Sequence, residues 1–475
     1  MNTIAIKHSI TTNLDSSFDK PISQIGLKDT KLGSGGFGKV YEVATLNGKP
    51  SKLPLVAKLF FQGTERNYQN TIQLQKIVRD KAAVMKKAGK KFFDLYPALI
   101  AMPLLSFEGM LDGETVRGHL SLNLNQLGFF SVESGMRTDA WTRLKNRPMY
   151  FKYKMSQVLT KGCAFLREIH FIHADITPDN LFIHPTAPLC ALIDYDSGAI
   201  ITSSKDAPTT KGKPYSEWMA PELTCDDPKI NKLTAFVDDW AVAVALHNIL
   251  AGSQVFYTKH CTFKALEKWR KMYDENPKLQ WPKISSNKKY AELFNEHNLK
   301  YFNTYLDQYG LIDDAVKKGF ETTFVIGALN FLRRWDSNKW TATLDKCIAN
   351  CKSKMSKEAA AYFEKTERSV RAKFPDEQST ANIHSFNTQW ETYVKIWCDV
   401  LLKNQSLIQH KIMVIGYAKQ YGQNGEEVYN KLPTWVKKLK ECKKLALNDP
   451  RVKQLKKEAA DMGLSDAFVN EMIKK

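Results

Sequence analysis

The pattern of apolar and polar positions changes character along the chain. Residues 1–28 are polar, with clustered Ser, Thr and Asn, and predict a peripheral or flexible extension. From Asp29 onward short β-like runs follow, at Lys39 to Ala44, Leu53 to Phe61, Ile100 to Phe107 and Val116 to Leu124. Between the second and third runs, Asn67 to Lys87 carries Ile72, Ile77, Val78 and Val84 at helical spacing. The stretch from about Phe129 to Ala349 reads as mainly helical, interrupted by a loop-rich part between His173 and Glu222. Beyond Cys351 the pattern is helical throughout. Leu432, Val436, Leu439, Cys442 and Leu445 recur at three- and four-residue steps, while Lys437, Lys438, Lys440, Lys443 and Lys444 fill other positions. Gly463 followed by Ser465 predicts a helix stop and a new N-cap. Strands first and helices afterwards predict an α+β fold class. Four segments result: an extension at 1–28, a sheet-rich part at 29–128, a helical part at 129–350 and a basic all-α part at 351–475.

The chain has 475 residues, more than one compact core organises. No run reaches the roughly 18 apolar residues of a membrane helix. The nearest, Ala241 to Leu250, follows Asp238 and Asp239 and contains His247. The first 17 residues lack the basic start and apolar stretch of a secretory signal. The eight cysteines include no close Cys-x-x-Cys pair, and Cys347 with Cys351 finds no partner set for zinc. Reduced, buried thiols and a cytoplasmic location are the expectation. The net charge of +19 permits an acidic protein partner, nucleic acid or an anionic membrane surface without choosing among them. The lysine-rich C-terminal helices are the candidate platform, although such a face is more often simply solvated.

The chemistry lies in four ordered motifs. Gly33-Ser34-Gly35-Gly36-Phe37-Gly38-Lys39-Val40 has the glycine spacing that lets a hairpin bring backbone N–H groups close to phosphate oxygens. A β-like run follows it, not the helix of a dinucleotide-binding loop. In Val56-Ala57-Lys58, a lysine inside an apolar strand needs an anionic partner. His173-Ala174-Asp175-Ile176-Thr177-Pro178-Asp179-Asn180 and Ala191-Leu192-Ile193-Asp194-Tyr195-Asp196 are two loops that each end a short strand. Asn180 and Asp194 supply oxygen ligands suited to Mg²⁺, and Asp175 would accept a hydroxyl proton in phosphoryl transfer. The plainer reading, loop carboxylates that cap helices, does not account for both loops in this order.

Over roughly Asp29 to Ala349 the sequence resembles the protein kinase superfamily. Trp218-Met219-Ala220-Pro221-Glu222 is similar to the end of its activation segment, and Asp238-Asp239-Trp240 to the start of its long central helix. The resemblance implies a two-lobed fold, a sheet-rich N-lobe and a helical C-lobe, with the all-α extension behind. It implies ATP held by Gly33, Ser34, Gly35, Gly36, Phe37, Gly38, Val40, Ala57 and Lys58, with Lys58 on the α/β-phosphates. Asp175 is the implied catalytic base, and Asn180 and Asp194 the implied Mg²⁺ ligands. Glu222 is the implied member of a structural ion pair. Its expected partner is Lys339, in Asp336-Ser337-Asn338-Lys339-Trp340-Thr341. The implied substrate is a protein hydroxyl, Ser or Thr rather than Tyr, since Pro178-Asp179-Asn180 resembles serine/threonine kinases.

Several positions depart from that pattern. No glutamate lies between Tyr68 and Arg79 to pair with Lys58; Gln73 and Gln75 occupy the stretch, with Glu65 early and Asp80 late. Ala174 stands where an arginine commonly contacts a phosphorylated activation loop, so control by that route is not expected. Thr202, Ser203, Ser204, Thr209 and Thr210 are hydroxyls in a polar loop. Thr177 replaces a lysine and Asp196 a glycine. An acid two places after the metal aspartate is also found in small-molecule phosphotransferases resembling aminoglycoside and choline kinases. That group generally lacks the full glycine loop and the Met219 to Glu222 segment. A pseudokinase scaffold is the third reading, against which Lys58, Asp175, Asn180 and Asp194 are all retained.

Overall fold

Leu55, Ala57 and Leu59 alternate with Val56, Lys58 and Phe60, and the first three are buried in the apolar core. That period of two gives the strand one apolar face and one face free for chemistry. The computed structural model describes residues 2–18, 20–136, 142, 144–202, 207–208, 218–224, 232–252, 309–327, 331–375, 381–403, 405–420, 423–443 and 445–474. Its first part contains β1 (Asn2–Thr11), β2 (Gln24–Ser34), β3 (Gly38–Leu46), β4 (Lys49–Pro50), β5 (Leu55–Phe60), α1 (Glu65–Lys87), α2 (Phe92–Leu95), β6 (Leu105–Leu111) and β7 (Glu114–Leu122).

These strands form one antiparallel sheet in the order β2-β1-β6-β7-β5-β3-β4, and β2 also pairs with β3. Six strands therefore return on themselves as a closed barrel, leaving only short β4 at the side. Closure removes the open edges that an antiparallel sheet otherwise presents.

The N-terminal segment corrects the expectation of a peripheral extension. β1 pairs with β2, Ile4 facing Ile25, and with β6, Thr11 facing Leu105. Ile4 is completely buried, but most other β1 residues are exposed, so the run carries little apolar alternation. Gly109 of β6 is required by this closure, because a Cβ there would lie 2.5 Å from the Ala5 carbonyl oxygen.

The helix expected at Asn67 to Lys87 is α1. Ile72 and Val78 are buried as predicted, while Val84 is 66% exposed. Tyr68, Thr71, Leu74, Gln75 and Ala82 complete the buried stripe instead. Phe92, Tyr96 and Phe165 then form an aromatic cluster that joins the barrel side to the helices.

The helical part contains β8 (Phe130–Ser131), α3 (Val132–Met136), α4 (Met149–Glu168), β9 (Phe171–Ile172), β10 (Leu181–Ile183), β11 (Cys190–Leu192), β12 (Ala199–Ile200), α5 (Ala235–Ala251), α6 (Asp314–Glu321), α7 (Ser337–Lys354) and α8 (Lys357–Arg371). The apolar stretch at Ala241 to Leu250 is the interior of α5, where every side chain from Asp239 to Ala251 is buried in the core. No described helix is long and apolar enough to cross a membrane. Among the described residues, Cys163, Cys190, Cys347, Cys351, Cys398 and Cys442 are free thiols.

Buried apolar residues form two clusters. The first runs without a break from Ile4 to Phe374 and takes in α8, whose Phe363 packs on Tyr150 and Phe151. The core therefore continues past residue 350, where the sequence pattern suggested a boundary. The second cluster comprises α9 (Ala381–Leu402), α10 (Lys411–Gln420), α11 (Gly425–Cys442), α12 (Pro450–Ala460) and α13 (Asp466–Lys474). Leu432, Val436, Leu439 and Cys442 are buried on the predicted stripe, and Trp390 and Trp435 donate their indole N–H groups to the Met462 and Leu455 carbonyls. Gly463 has φ +73°, and the Ser465 hydroxyl accepts the Phe468 N–H, as the stop and cap predicted. On α11, Lys431 and Lys438 pair with Glu427 and Glu458, which reduces the positive charge that face offers to a partner.

Candidate active site

The glycine hairpin joins β2 to β3. The Gly35 N–H donates to the Gly38 carbonyl at 3.0 Å, and the Phe61 N–H to the Phe37 carbonyl at 2.8 Å. A Cβ on Gly33, Gly35 or Gly36 would meet nothing within 4 Å, so the tip leaves its backbone open. Gly38 differs: a Cβ there would lie 2.3 Å from the Leu59 carbonyl oxygen, where β3 and β5 touch. Neither backbone can yield, so Gly38→Ala is expected to cost about 1–3 kcal/mol through overpacking. Thermal unfolding of the variant checks this; an unchanged melting temperature would rule the contact out as a constraint.

Register carries the hairpin to the lysine. Val40 faces Lys58 across β3 and β5, and Lys58 faces His119 across β5 and β7. Val56, two residues before Lys58, shares its face and is opposite Ser121. Ala57, grouped with the nucleotide contacts from its place in Val56-Ala57-Lys58, points the other way. It is opposite Tyr41 and Leu120 and is fully buried in the apolar core, because successive strand residues alternate faces. Val56, Ser121 and His119 are the residues that the motif did not indicate. Burial lowers the His119 pKa to about 3, with the Lys58 charge adding to the shift, so its ring is neutral beside the ammonium.

Two loops face this sheet. A turn in which the Thr177 carbonyl accepts the Asn180 and Leu181 N–H groups ends the first loop. The Asn180 side-chain amide donates to both the carbonyl and the Oδ2 of Asp175, each at 2.9 Å. Both bonds use Nδ2 and leave the side-chain oxygen Oδ1 of Asn180 for a cation. Ala174 has φ +64°, a left-handed backbone that a non-glycine residue adopts at a cost. The Asp238 carboxylate, at the start of α5, holds it there by accepting the His173 and Ala174 N–H groups at 2.7 and 2.9 Å. Asp239 next to it binds Arg167 of α4 at 2.6 and 2.8 Å.

The Ile193 N–H donates to the Asn180 carbonyl at 3.0 Å, which sets the second loop beside the first. Asp194 has φ +65° and begins a short 3₁₀ turn, Tyr195–Ser197. Its carboxylate hydrogen-bonds the Lys58 ammonium, and Asp196 approaches the same nitrogen at 2.8 Å. Burial works against the Lys58 charge, but Asp194 and Asp196 outweigh it and raise its pKa. Burial raises the Asp196 carboxyl, and the neighbouring Asp194 adds to that shift. For Asp194, burial is outweighed by its close neighbours Asp196 and Lys58, which hold its pKa below the usual carboxylate range. No described group of three or more His, Cys, Asp and Glu residues forms a metal cage. The Asn180–Asp194 set suits a cation that takes one or two protein oxygens and completes its shell from phosphate and water.

Arg334 partners Glu222, correcting the expectation of Lys339. Its guanidinium grips both carboxylate oxygens at 2.7 Å with both side chains buried, and also donates to the Phe236 carbonyl. Lys339 lies instead over the Trp335 ring. A planar fork satisfies a buried carboxylate from two directions, which a lysine does not. Thr202 is exposed; Ser203, Ser204, Thr209 and Thr210 lie outside the described residues.

Residues 133–350 match the protein kinase domain family. This part of the chain belongs to the protein kinase superfamily. Among curated proteins, the chain is similar to serine/threonine-protein kinase 17A of Oryctolagus cuniculus, 27% identical over 125 residues, 26% of this chain and 30% of that protein. It is similar to a probable myosin light chain kinase of Dictyostelium discoideum, 31% identical over 109 residues, 22% of this chain and 34% of that one. Serine/threonine-protein kinase H1 of Homo sapiens is 27% identical over 139 residues, 28% and 31% of the two chains. The chain spans about a third of the length of these relatives. The family match begins after the barrel, and Lys58 of β5 pairs with Asp194 and Asp196 inside the matched residues.

Proposed function

We propose that the chain is an ATP- and Mg²⁺-dependent protein kinase that phosphorylates Ser or Thr hydroxyls, with the nucleotide between the barrel and the helical part acting as two lobes. The convergence of Lys58, Asp194, Asn180 and Asp175 on one side of the barrel carries this reading. The open backbone of Gly33 to Gly36 and the faces of Val40 and Val56 line the nucleotide end. Lys58 neutralises phosphate oxygens, while Asn180 and Asp194 hold Mg²⁺, which when bound offsets charge on the phosphates. Asp175 orients the substrate hydroxyl and takes its proton. The hydroxyl oxygen forms its bond to the γ-phosphorus as the bond to the β–γ bridging oxygen breaks, and ADP leaves with the electron pair.

The names of the relatives and the Pro178-Asp179-Asn180 ending favour Ser and Thr over Tyr. The Glu222–Arg334 pair favours a protein substrate over a small molecule, because it anchors the segment that ends in Ala220-Pro221-Glu222. Alanine at 174 offers no charge to a phosphorylated loop, so activity without activation-loop phosphorylation is part of the proposal.

Incubating wild type and Asp194→Ala with labelled ATP and generic protein substrates tests this. Label on protein that disappears in the variant is the expected result. Nucleotide binding without any transfer would favour a scaffold, and label on a small hydroxylated metabolite a small-molecule kinase.

A further inference from the structure

We infer that Asp196 is the acid that positions Lys58, a task that α1 leaves unfilled, and that Asn67 and Asn70 hold this acid in place by binding the backbone of its turn. The inference rests on the reading of Lys58 as the phosphate-contacting lysine. A buried ammonium needs a negative partner in every state of the site. Asp194 cannot serve alone, since a carboxylate that ligates a cation has less charge left for lysine. Asp196 sits two residues further on, with its side chain fully buried and 2.8 Å from the Lys58 Nζ.

The described acids of α1 are engaged elsewhere: Glu65 with Arg117 at 3.5 Å and Asp80 with Arg79 at 3.6 Å. Gln75 faces inward but donates to the Pro103 carbonyl, and Gln73 is exposed. What α1 gives the site is two side-chain amides. Asn67 donates to the Asp196 carbonyl at 2.9 Å and Asn70 to the Gly198 carbonyl at 2.7 Å. These bonds hold the middle of the Tyr195–Ser197 turn and the residue after it, while the Asp196 carboxylate remains for Lys58. The cation ligand and the partner of the lysine thus sit two residues apart, and the helix holds the turn that carries the second of them through neutral hydrogen bonds.

A double-mutant cycle on the full chain tests this, with wild type, Lys58→Met, Asp196→Asn and the double variant titrated with Mg·ADP by calorimetry. Each single variant is expected to weaken binding about tenfold or more. The double variant is expected to bind no more weakly than Lys58→Met, because Asp196 acts through Lys58. The Mg²⁺ concentration needed for half-maximal ADP binding is expected to be the same in Asp196→Asn as in wild type. Additive losses would overturn the inference, and so would a tenfold higher Mg²⁺ requirement in Asp196→Asn, which would make Asp196 a cation ligand. If Asp196→Asn does not fold, Asn67→Ala combined with Asn70→Ala takes its place. That variant should lower Mg·ADP affinity in the same direction, and unchanged affinity would count against the scheme.

Binding as the readout separates this question from the kinase reading, since the cycle works whether or not phosphate reaches a protein. Should wild type bind no nucleotide, the kinase reading falls. Melting of the same four proteins then decides the pairing, with Lys58→Met expected to lower the melting temperature less in the Asp196→Asn background than in wild type.

Discussion

Asp175→Asn is expected to slow phosphoryl transfer about 10²–10⁴-fold, the usual contribution of a positioned general base, while leaving Mg·ADP affinity unchanged. The substitution keeps the side chain's shape, and the remaining carbonyl oxygen can still accept from Asn180 Nδ2, as Oδ2 does at 2.9 Å. The loop does not depend on the lost charge, because Asp238 holds His173 and Ala174 and the Thr177 carbonyl holds Asn180 and Leu181. What disappears is the proton acceptor. Single-turnover rates with labelled ATP, alongside calorimetry with Mg·ADP, separate the two effects. A variant as fast as wild type would remove Asp175 from the mechanism, and one that has also lost nucleotide would show that the loop had moved.

Arg334→Ala is expected to destabilise the chain by about 3–5 kcal/mol, because it strands a buried carboxylate. Glu222 is fully enclosed and receives two 2.7 Å hydrogen bonds from this one guanidinium. Arg334 also donates to the Gly327 and Phe236 carbonyls and lies over the Trp240 ring, so one side chain ties the end of the 218–222 segment to α5 and to the chain before α7. Arg334→Lys is expected to recover only part of the loss, since an ammonium cannot reproduce the fork. Replacing both partners, Arg334→Met with Glu222→Leu, should be less destabilising than Arg334→Ala alone, because no unpaired charge remains. Urea unfolding of the three variants measures this. A loss below about 1 kcal/mol for Arg334→Ala, the size of an exposed pair, would show that the contact carries little.

What could be read in the sequence was local. The glycine hairpin, the His173 to Asn180 loop, the Ala191 to Asp196 loop, α1 and the α11 stripe each depend on spacing within a few residues, which turn and helix geometry fixes directly. Lys58, Asp175, Asn180 and Asp194 could therefore be proposed as a set from the chain alone, and Gly463 and Ser465 read as a stop and a cap.

The tertiary structure decided everything that needs a distant partner. β1 lacks apolar alternation because it is a mostly exposed strand whose contribution is backbone pairing with β2 and β6, and backbone hydrogen bonds leave no mark on side-chain composition. Ala57 belongs to the barrel interior because alternation sets its face opposite to that of Lys58, and only the register across β3, β5 and β7 says which face is which. Asp196 was visible as a departure from a family pattern, but its approach to Lys58 depends on folding two segments together, as does the Lys58–Asp194 bond across 136 positions. Arg334 reaches Glu222 across 112 positions, from a site that a spacing rule placed at Lys339. Sequence by itself determined which chemical groups are present and how each short loop turns. The burial of charge, which forces each ammonium, guanidinium and carboxylate to find its opposite in space, determined how those groups are paired.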